Sequence, residues 1–224
     1  MLNIAKKRQP DAYTEWKLKE NPITNLETYA GKYDDLLPSD IKQLLREALC
    51  EEQGYLCCYC MNRIKPDKDH MRLEHWQSQR EFPARKFDYT NMMAACCGGE
   101  DSDDKEYYCD KLKEDNSLKF CPATAVHNVE SKIKYAKNGK ILSADEEFDD
   151  QLNSVLNLNR ELFKNNRAAV LDGLLAVFQK VGWTKRQFEN RMSELRTPNV
   201  RGELKPYAGV ELYELKRRHA RAAR

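Results

Sequence analysis

Four thiols bracket a short run of side chains able to activate water. Cys57 and Cys60 form a C-x-x-C pair, and Cys96 and Cys109 lie beyond Glu74, His75 and Asn91, with Asp110 directly after Cys109. A closed structural zinc site takes four soft or borderline donors in a tetrahedron, usually as two close pairs. The second pair is irregular. Cys109 stands thirteen residues after Cys96 and twelve after Cys97, with an acidic insertion between them. Cys96 is the chosen third ligand because it ends the run from Asn91 to Ala95; Cys97, Cys121 and His127 are the alternatives. One C-x-x-C pair alone also describes ordinary buried thiols, whereas two pairs around a Glu-His step make a more specific signal.

The enclosed residues suit hydrolysis of a phosphodiester, which needs a deprotonated water and a cation near the leaving oxygen. His75 is the candidate base, provided its second ring nitrogen is held so that the correct tautomer faces the water. Asn91, sixteen residues on, can sit across a hairpin and fix that geometry. Glu74 and Asp110 offer carboxylate oxygen to a hard cation, Mg2+ or Mn2+. Lys113 is the candidate phosphate contact, as a point charge. Each has an ordinary structural reading too: a core histidine, a turn asparagine, a helix N-terminal carboxylate. Order and spacing favour the site.

Composition narrows the class. Of 224 residues 33% are charged and 41% hydrophobic, and the net charge is +2; mean hydropathy is −0.83. The uninterrupted apolar runs are short, such as Gly173 to Phe178, so no stretch is expected to span a bilayer, and the net charge gives no general electrostatic case for nucleic acid. The N-terminal Lys6-Lys7-Arg8 run lacks the apolar segment of a signal peptide, so a cytoplasmic protein is expected. Seven of the eight cysteines fall between Cys57 and Cys121. In a reducing compartment such clustering favours metal over disulfides. Charge is uneven: residues 201–224 carry seven Lys/Arg against three Glu, and residues 100–115 carry eight Asp/Glu against three Lys.

The elements that must position these residues follow from pattern. Residues 1–38 read as a polar arm broken by Pro10, Pro22 and Pro38 and anchored by Tyr13 and Trp16. Ser39 reads as an N-cap for a helix with Ile41, Leu44, Leu45, Ala48 and Leu49 at helical spacing. Strands are expected at Met71 to Trp76 and, as strand or turn, at Tyr89 to Ala95, with a solvated acidic loop at 98–104. A helix near Cys109 should present Asp110 and Lys113. Asn138-Gly139 between Tyr135 and Ile141 signals a hairpin with a two-residue turn. Helices follow over roughly 160–180, stopped by Gly182, from a Thr184 cap to about Leu195, and from Glu211 to Arg221. The fold class is α+β. Its expected parts are an arm and helix at 1–49, a zinc-stabilised centre at 50–125, and a hairpin with helices at 126–224 that complete the core or bind a partner.

The run C-x-x-C, Glu74-His75, Tyr89-x-Asn91, Cys96 and Cys109-Asp110-Lys111 resembles the HNH endonuclease family, whose catalytic unit is a ββα-metal fold. The resemblance implies His75 as general base and Asn91 as the residue that supports the hairpin. It implies Asp110 as the helix ligand of the catalytic metal, where the family usually carries His or Asn, and Glu74 as an acidic helper. Over residues 40–180 the chain is also similar to the HNH subunit (PtuB) of Septu and retron-associated antiphage systems. That likeness implies an ABC-type ATPase partner (PtuA) and a role in phage defence. Three classes therefore compete. The first is a metal-dependent nuclease, with DNA the expected substrate and RNA such as tRNA the alternative. The second is a non-catalytic zinc-stabilised nucleic-acid-binding module using the basic C-terminal helix. The third is a purely structural zinc protein.

Overall fold

The N-terminal arm folds against the centre of the molecule and does not stand apart from it. The computed structural model describes residues 1–100, 106–180 and 183–222. The expected Gly182 stop and most of the acidic 98–104 segment lie outside the described residues. In chain order the elements are α1 (Asp11–Thr24), α2 (Tyr33–Leu36), α3 (Ser39–Glu52), β1 (Arg72–His75), β2 (Met92–Ala95), α4 (Cys109–Lys113), α5 (Val129–Lys132), β3 (Ile133–Tyr135), β4 (Ile141–Ser143), α6 (Glu146–Ser154), α7 (Glu161–Lys180), α8 (Lys185–Arg196) and α9 (Ala208–Ala222). The strands make two antiparallel two-stranded sheets, β1 with β2 and β3 with β4, so the chain is α+β. Among the described residues no helix is long and apolar enough to cross a membrane.

Helix α3 buries Ile41, Leu45, Leu49 and Cys50, one face at the i, i+4, i+8 spacing. Its N-cap is Pro38 without a side-chain cap bond, so Ser39 begins the helix and does not cap it. Thr184 does cap α8, in a reciprocal box with Gln187. Helix α1 spans Asp11–Thr24 within the stretch expected to be a polar arm. The turn at Asn138-Gly139 is one residue longer than expected. Ala136 N donates to the Lys140 carbonyl and Gly139 N to the Ala136 carbonyl, enclosing Lys137, Asn138 and Gly139. Gly139 has φ 76°, and a Cβ there would meet the Lys164 carbonyl at 1.9 Å. The position needs glycine twice over, for its backbone and for the close approach of α7.

One buried cluster extends from Met1 to Val210 and includes Tyr13, Leu45, Met92, Phe148 and Phe163. The proposed boundaries at 49 and 125 are therefore crossed by shared packing. A smaller cluster, built on Leu174, Phe188, Leu195, Ala208, Leu212 and Leu215, joins α7, α8 and α9. Tyr13 is fully buried, and its hydroxyl donates to the Phe87 carbonyl at 2.9 Å. Its ring begins an aromatic series: Trp16 packs on Phe87, Phe87 stacks on Tyr33, and Tyr33 meets His75 edge-on at 5.1 Å. The arm thus forms the back wall behind His75.

Candidate metal centre and active site

The segment between α3 and β1 turns tightly at the first cysteine pair. Met61 N donates to the Cys57 carbonyl, Cys57 N to the Asn62 carbonyl and Cys58 N to the Ala94 carbonyl of β2. Met61 sits at φ 63°, the left-handed backbone that closes the turn. Gln53, buried at the end of α3, donates to the Leu56 and Ala94 carbonyls and accepts from Ala94 N, all at 2.8 Å. One side chain thereby ties the cysteine turn to the edge of β2.

All eight cysteines are free thiols. The sulfurs of Cys57, Cys60, Cys96 and Cys109 lie within 4.8 Å of one another. Cys57 Sγ is 3.9 Å from Cys109 Sγ, and Cys60 Sγ is 3.8 Å from Cys96 Sγ. Ligands at the usual zinc–sulfur bond length in a tetrahedron stand about 3.8 Å apart. Bonded disulfide sulfurs stand near 2 Å apart. The group can hold a metal such as zinc. Burial opposes ionisation at Cys57, yet hydrogen bonds from Cys109, Cys58, Cys60 and Cys96 hold its thiol well below the ordinary range. Burial drives Cys109 up, as does its bond to Cys57. These four buried sulfurs can all be thiolates together only with a cation between them. Cys97 turns away and donates to the Asp69 carbonyl. Cys121 N donates to His127 Nδ1, and none of the three alternatives joins the four-sulfur group.

The irregular spacing of the second pair is resolved at the ends of the insertion. Tyr108 N donates to the Gly98 carbonyl at 3.0 Å, so the chain leaves and re-enters at adjacent points. Gly98 has φ 66°, and a Cβ there would lie 2.3 Å from the Tyr108 carbonyl oxygen. Cys109 takes the unusual φ of 50°, with its N–H bonded to the Leu156 carbonyl. The Leu156-Asn157-Leu158-Asn159 run supplies this anchor. Asn157 donates to the Tyr107 carbonyl, and Asn159 exchanges two hydrogen bonds with the Ile141 backbone.

His75 ends β1, paired with Met92 of β2. Its Nε2 lies 2.9 Å from the Lys86 carbonyl. A carbonyl can only accept, so Nε2 carries the proton and Nδ1 keeps a lone pair. Gln79 Nε2 approaches that lone pair at 3.1 Å. Burial lowers the His75 pKa below its ordinary 6.5, which keeps the ring neutral near pH 7. The Lys86 carbonyl, not Asn91, therefore sets the tautomer. Asn91 acts one step back. It accepts from Gln77 N and donates to the Gln77 and Arg85 carbonyls, bracing the loop that carries Lys86. The Lys86 ammonium donates to the Tyr29 and Gly31 carbonyls, fixing the loop to the arm.

Glu74 is buried beside His75. Its Oε1 accepts from Tyr59 Oη at 2.7 Å and pairs with Lys113 Nζ at 2.9 Å. Burial alone would raise its pKa; the Lys113 charge and the bonds from Asp110, Lys113 and Tyr59 bring it below 4.5. Asp110 is pushed up to about 10, first by burial and then by its hydrogen bond to Glu74 and that group's charge. The two carboxyls thus share one proton. Lys113 is fully buried, its ammonium held by Glu74 and, at 2.9 Å, by the His75 carbonyl. The expected phosphate contact is overturned at this position, because the charge of Lys113 is spent inside the fold. Glu74, His75 and Asp110 line one cavity of about 630 Å3. Among the described residues they do not close into a second compact ligand group of the kind the cysteines form.

Sequence pattern missed Gln53, Tyr59, Gln79 and the Lys86 carbonyl. Tyr59 is a variable position inside the C-x-x-C pair, the others stand outside any motif, and a backbone carbonyl carries no sequence signal. Their one legible cue is closeness in the chain to the motif residues. The basic C-terminal helix also reads differently in three dimensions. Arg217 and Arg218 pair with Glu214, and Lys216 pairs with Glu130, while Val210, Leu212 and Leu215 are buried. No protein-family model matches the chain, and a comparison with the curated proteins finds no match.

Proposed function

We propose that the protein is a metal-dependent endonuclease of the HNH type, with β1, β2 and α4 as its ββα core and the four cysteines holding a structural zinc. The observation that carries this reading is His75. A neutral imidazole with Nε2–H committed to the Lys86 carbonyl leaves a directed lone pair beside two carboxyls that share a proton. A neutral base of this kind takes a proton from water. The carboxyl pair of Glu74 and Asp110 suits a divalent cation, Mg2+ or Mn2+, which would displace the shared proton. When bound there, such a cation supplies positive charge for the phosphodiester oxygens.

His75 holds the water-derived proton at Nδ1 while Lys86 and Asn91 keep the ring in place. Gln79 must release Nδ1 for that step. Lys113 keeps Glu74 ionised and steadies the backbone at His75. The pairing of the C-terminal cations weighs against the reading in which that helix alone binds nucleic acid. DNA is the proposed substrate, with RNA cleavage by the same site as the second possibility. An ABC-type ATPase partner and an antiphage role belong to the same proposal and rest on the sequence likeness to Septu and retron-associated HNH subunits.

The test is a cleavage assay on DNA and RNA in Mg2+ or Mn2+, with and without the candidate ATPase, comparing the parent with His75→Ala. The variant should lose cleavage while folding and binding nucleic acid as the parent does. Equal cutting by both proteins overturns the catalytic assignment.

A further inference from the structure

The cavity beside His75 continues into a second one of about 410 Å3, and the two share Tyr33, Asp34, Leu73, Gln79 and Asp110. A nucleic-acid backbone entering them brings phosphates, and Lys113 is not available to meet one. The other cations on these walls differ sharply in what already holds them. Lys86 is taken by two backbone carbonyls, Arg72 by Glu100, and Arg80 pairs with Asp115 at 3.6 Å. Lys32 and Lys68 are exposed at the rim.

Arg46 is the exception. It projects from the flank of α3, half-buried, into the second cavity. Its Nε–H is buried with no acceptor among the described residues. Two carboxyls line this cavity with it: Asp34 is paired with Lys42 at 2.8 Å and largely exposed, and Asp110 is kept protonated by burial and by Glu74. A buried guanidinium N–H without an acceptor is costly. Its planar fork matches the paired oxygens of a phosphate.

We propose that Arg46, with Lys68 at the rim beside it, is a subsite for a backbone phosphate of the polynucleotide substrate. It lines the second cavity, whose wall residues Asp110 and Gln79 also line the cavity that holds His75. This rests on the nuclease reading above and adds to it where the chain of the substrate is gripped. Arg46 takes the role that the sequence pattern suggested for Lys113, from a helix well outside the motif. It touches a phosphate and not the attacking water, so its loss acts first on binding.

The test uses the full chain with its zinc retained and no added magnesium. Fluorescence anisotropy measures binding of a labelled DNA duplex and of an RNA of equal length, each over a salt series. Arg46→Gln should weaken binding of the preferred probe at least about tenfold, the loss expected for a charge-assisted contact. It should also lower the log–log salt slope by about one. Arg46→Lys should keep the slope and lose part of the affinity. Parent-like affinity and slope in Arg46→Gln, at an unchanged urea midpoint, overturn the subsite. If Arg46→Gln does not fold, Lys68→Gln at the exposed rim replaces it, and an unchanged slope there overturns the proposal equally. If Asp34→Asn destabilises the fold as much as Arg46→Gln and neither affects binding, Arg46 serves an internal pair and the subsite is wrong. A parent that binds neither probe overturns the nuclease reading itself. His75→Ala losing cleavage while Arg46→Gln binds and cuts like the parent overturns the subsite alone.

Discussion

Replacing Lys113 by methionine separates the buried-pair reading from the phosphate-contact reading. Methionine fills much the same volume, so the change chiefly removes the charge that faces Glu74 at 2.9 Å, where both side chains are 3% exposed or less. Breaking a buried pair by deleting one partner costs about 3–5 kcal/mol. The structure sets a limit, because Glu74 can take up a proton instead. From its ordinary value of 4.5, protonation at pH 7 costs about 3 kcal/mol. The His75 carbonyl also loses its donor, worth about 1 kcal/mol more. The expected destabilisation is therefore about 4 kcal/mol at pH 7, or roughly 10 °C in Tm for a chain of this size.

The sign with pH follows. In the variant Glu74 is protonated when folded and ionised when unfolded above pH 4.5, so raising pH favours unfolding. The deficit should shrink by about 1.4 kcal/mol for each pH unit from 7 towards 5. Urea melts of parent and variant at pH 5, 6 and 7, without added magnesium, measure this. Adding Glu74→Gln should recover most of the loss at pH 7, as expected for contacting residues in a double-mutant cycle. A deficit under about 1 kcal/mol that does not vary with pH refutes the reasoning. So does a Lys113→Met protein that folds like the parent but binds nucleic acid with a reduced salt slope.

Other expectations concern the metal, the loop and the C-terminal helices. Cys60→Ser should release zinc and unfold the centre, since structural zinc contributes on the order of 10 kcal/mol in small domains; metal analysis of the purified variant and its thermal melt check this. Asn91→Ala removes three hydrogen bonds inside the loop and should cost roughly 2–3 kcal/mol. It should also lower the cleavage rate without changing nucleic-acid affinity, as a positioning role for His75 requires. Glu130, side chain 9% exposed and paired with Arg196 and Lys216, has its pKa lowered to about 2 from 4.5. Burial opposes that shift, and the bonds from Arg196 and Lys216 overcome it. Its contribution is present above pH 4.5 and is lost as pH falls towards 2. Because both partners are half exposed, about 1–2 kcal/mol is expected out of a maximum near 3. The difference between parent and Glu130→Gln in urea melts should vanish by pH 2.

Residue type and spacing were enough to select the four thiols, including Cys96 over Cys97, because a tetrahedral site restricts ligand chemistry more than it restricts the chain between ligands. They were enough as well for α3, α7, α8 and α9, whose apolar faces repeat at the helical period. The hairpin at Gly139 was legible because few residues accept a positive φ. What could not be read was which polar groups would lose contact with water. Lys113 looks in sequence like any exposed lysine at a helix end; only the packing of α4 against β1 buries it on Glu74 and turns a phosphate contact into an internal ion pair. The carbonyl of Lys86, which sets the tautomer of His75, is a backbone atom with no signature in side-chain pattern. Arg46 lies outside the motif and reaches the second cavity only because α3 packs against both strands. Donor chemistry is a property of residues and survives in one dimension. Burial, tautomer and charge pairing depend on neighbours distant in the chain, and tertiary structure alone decided them.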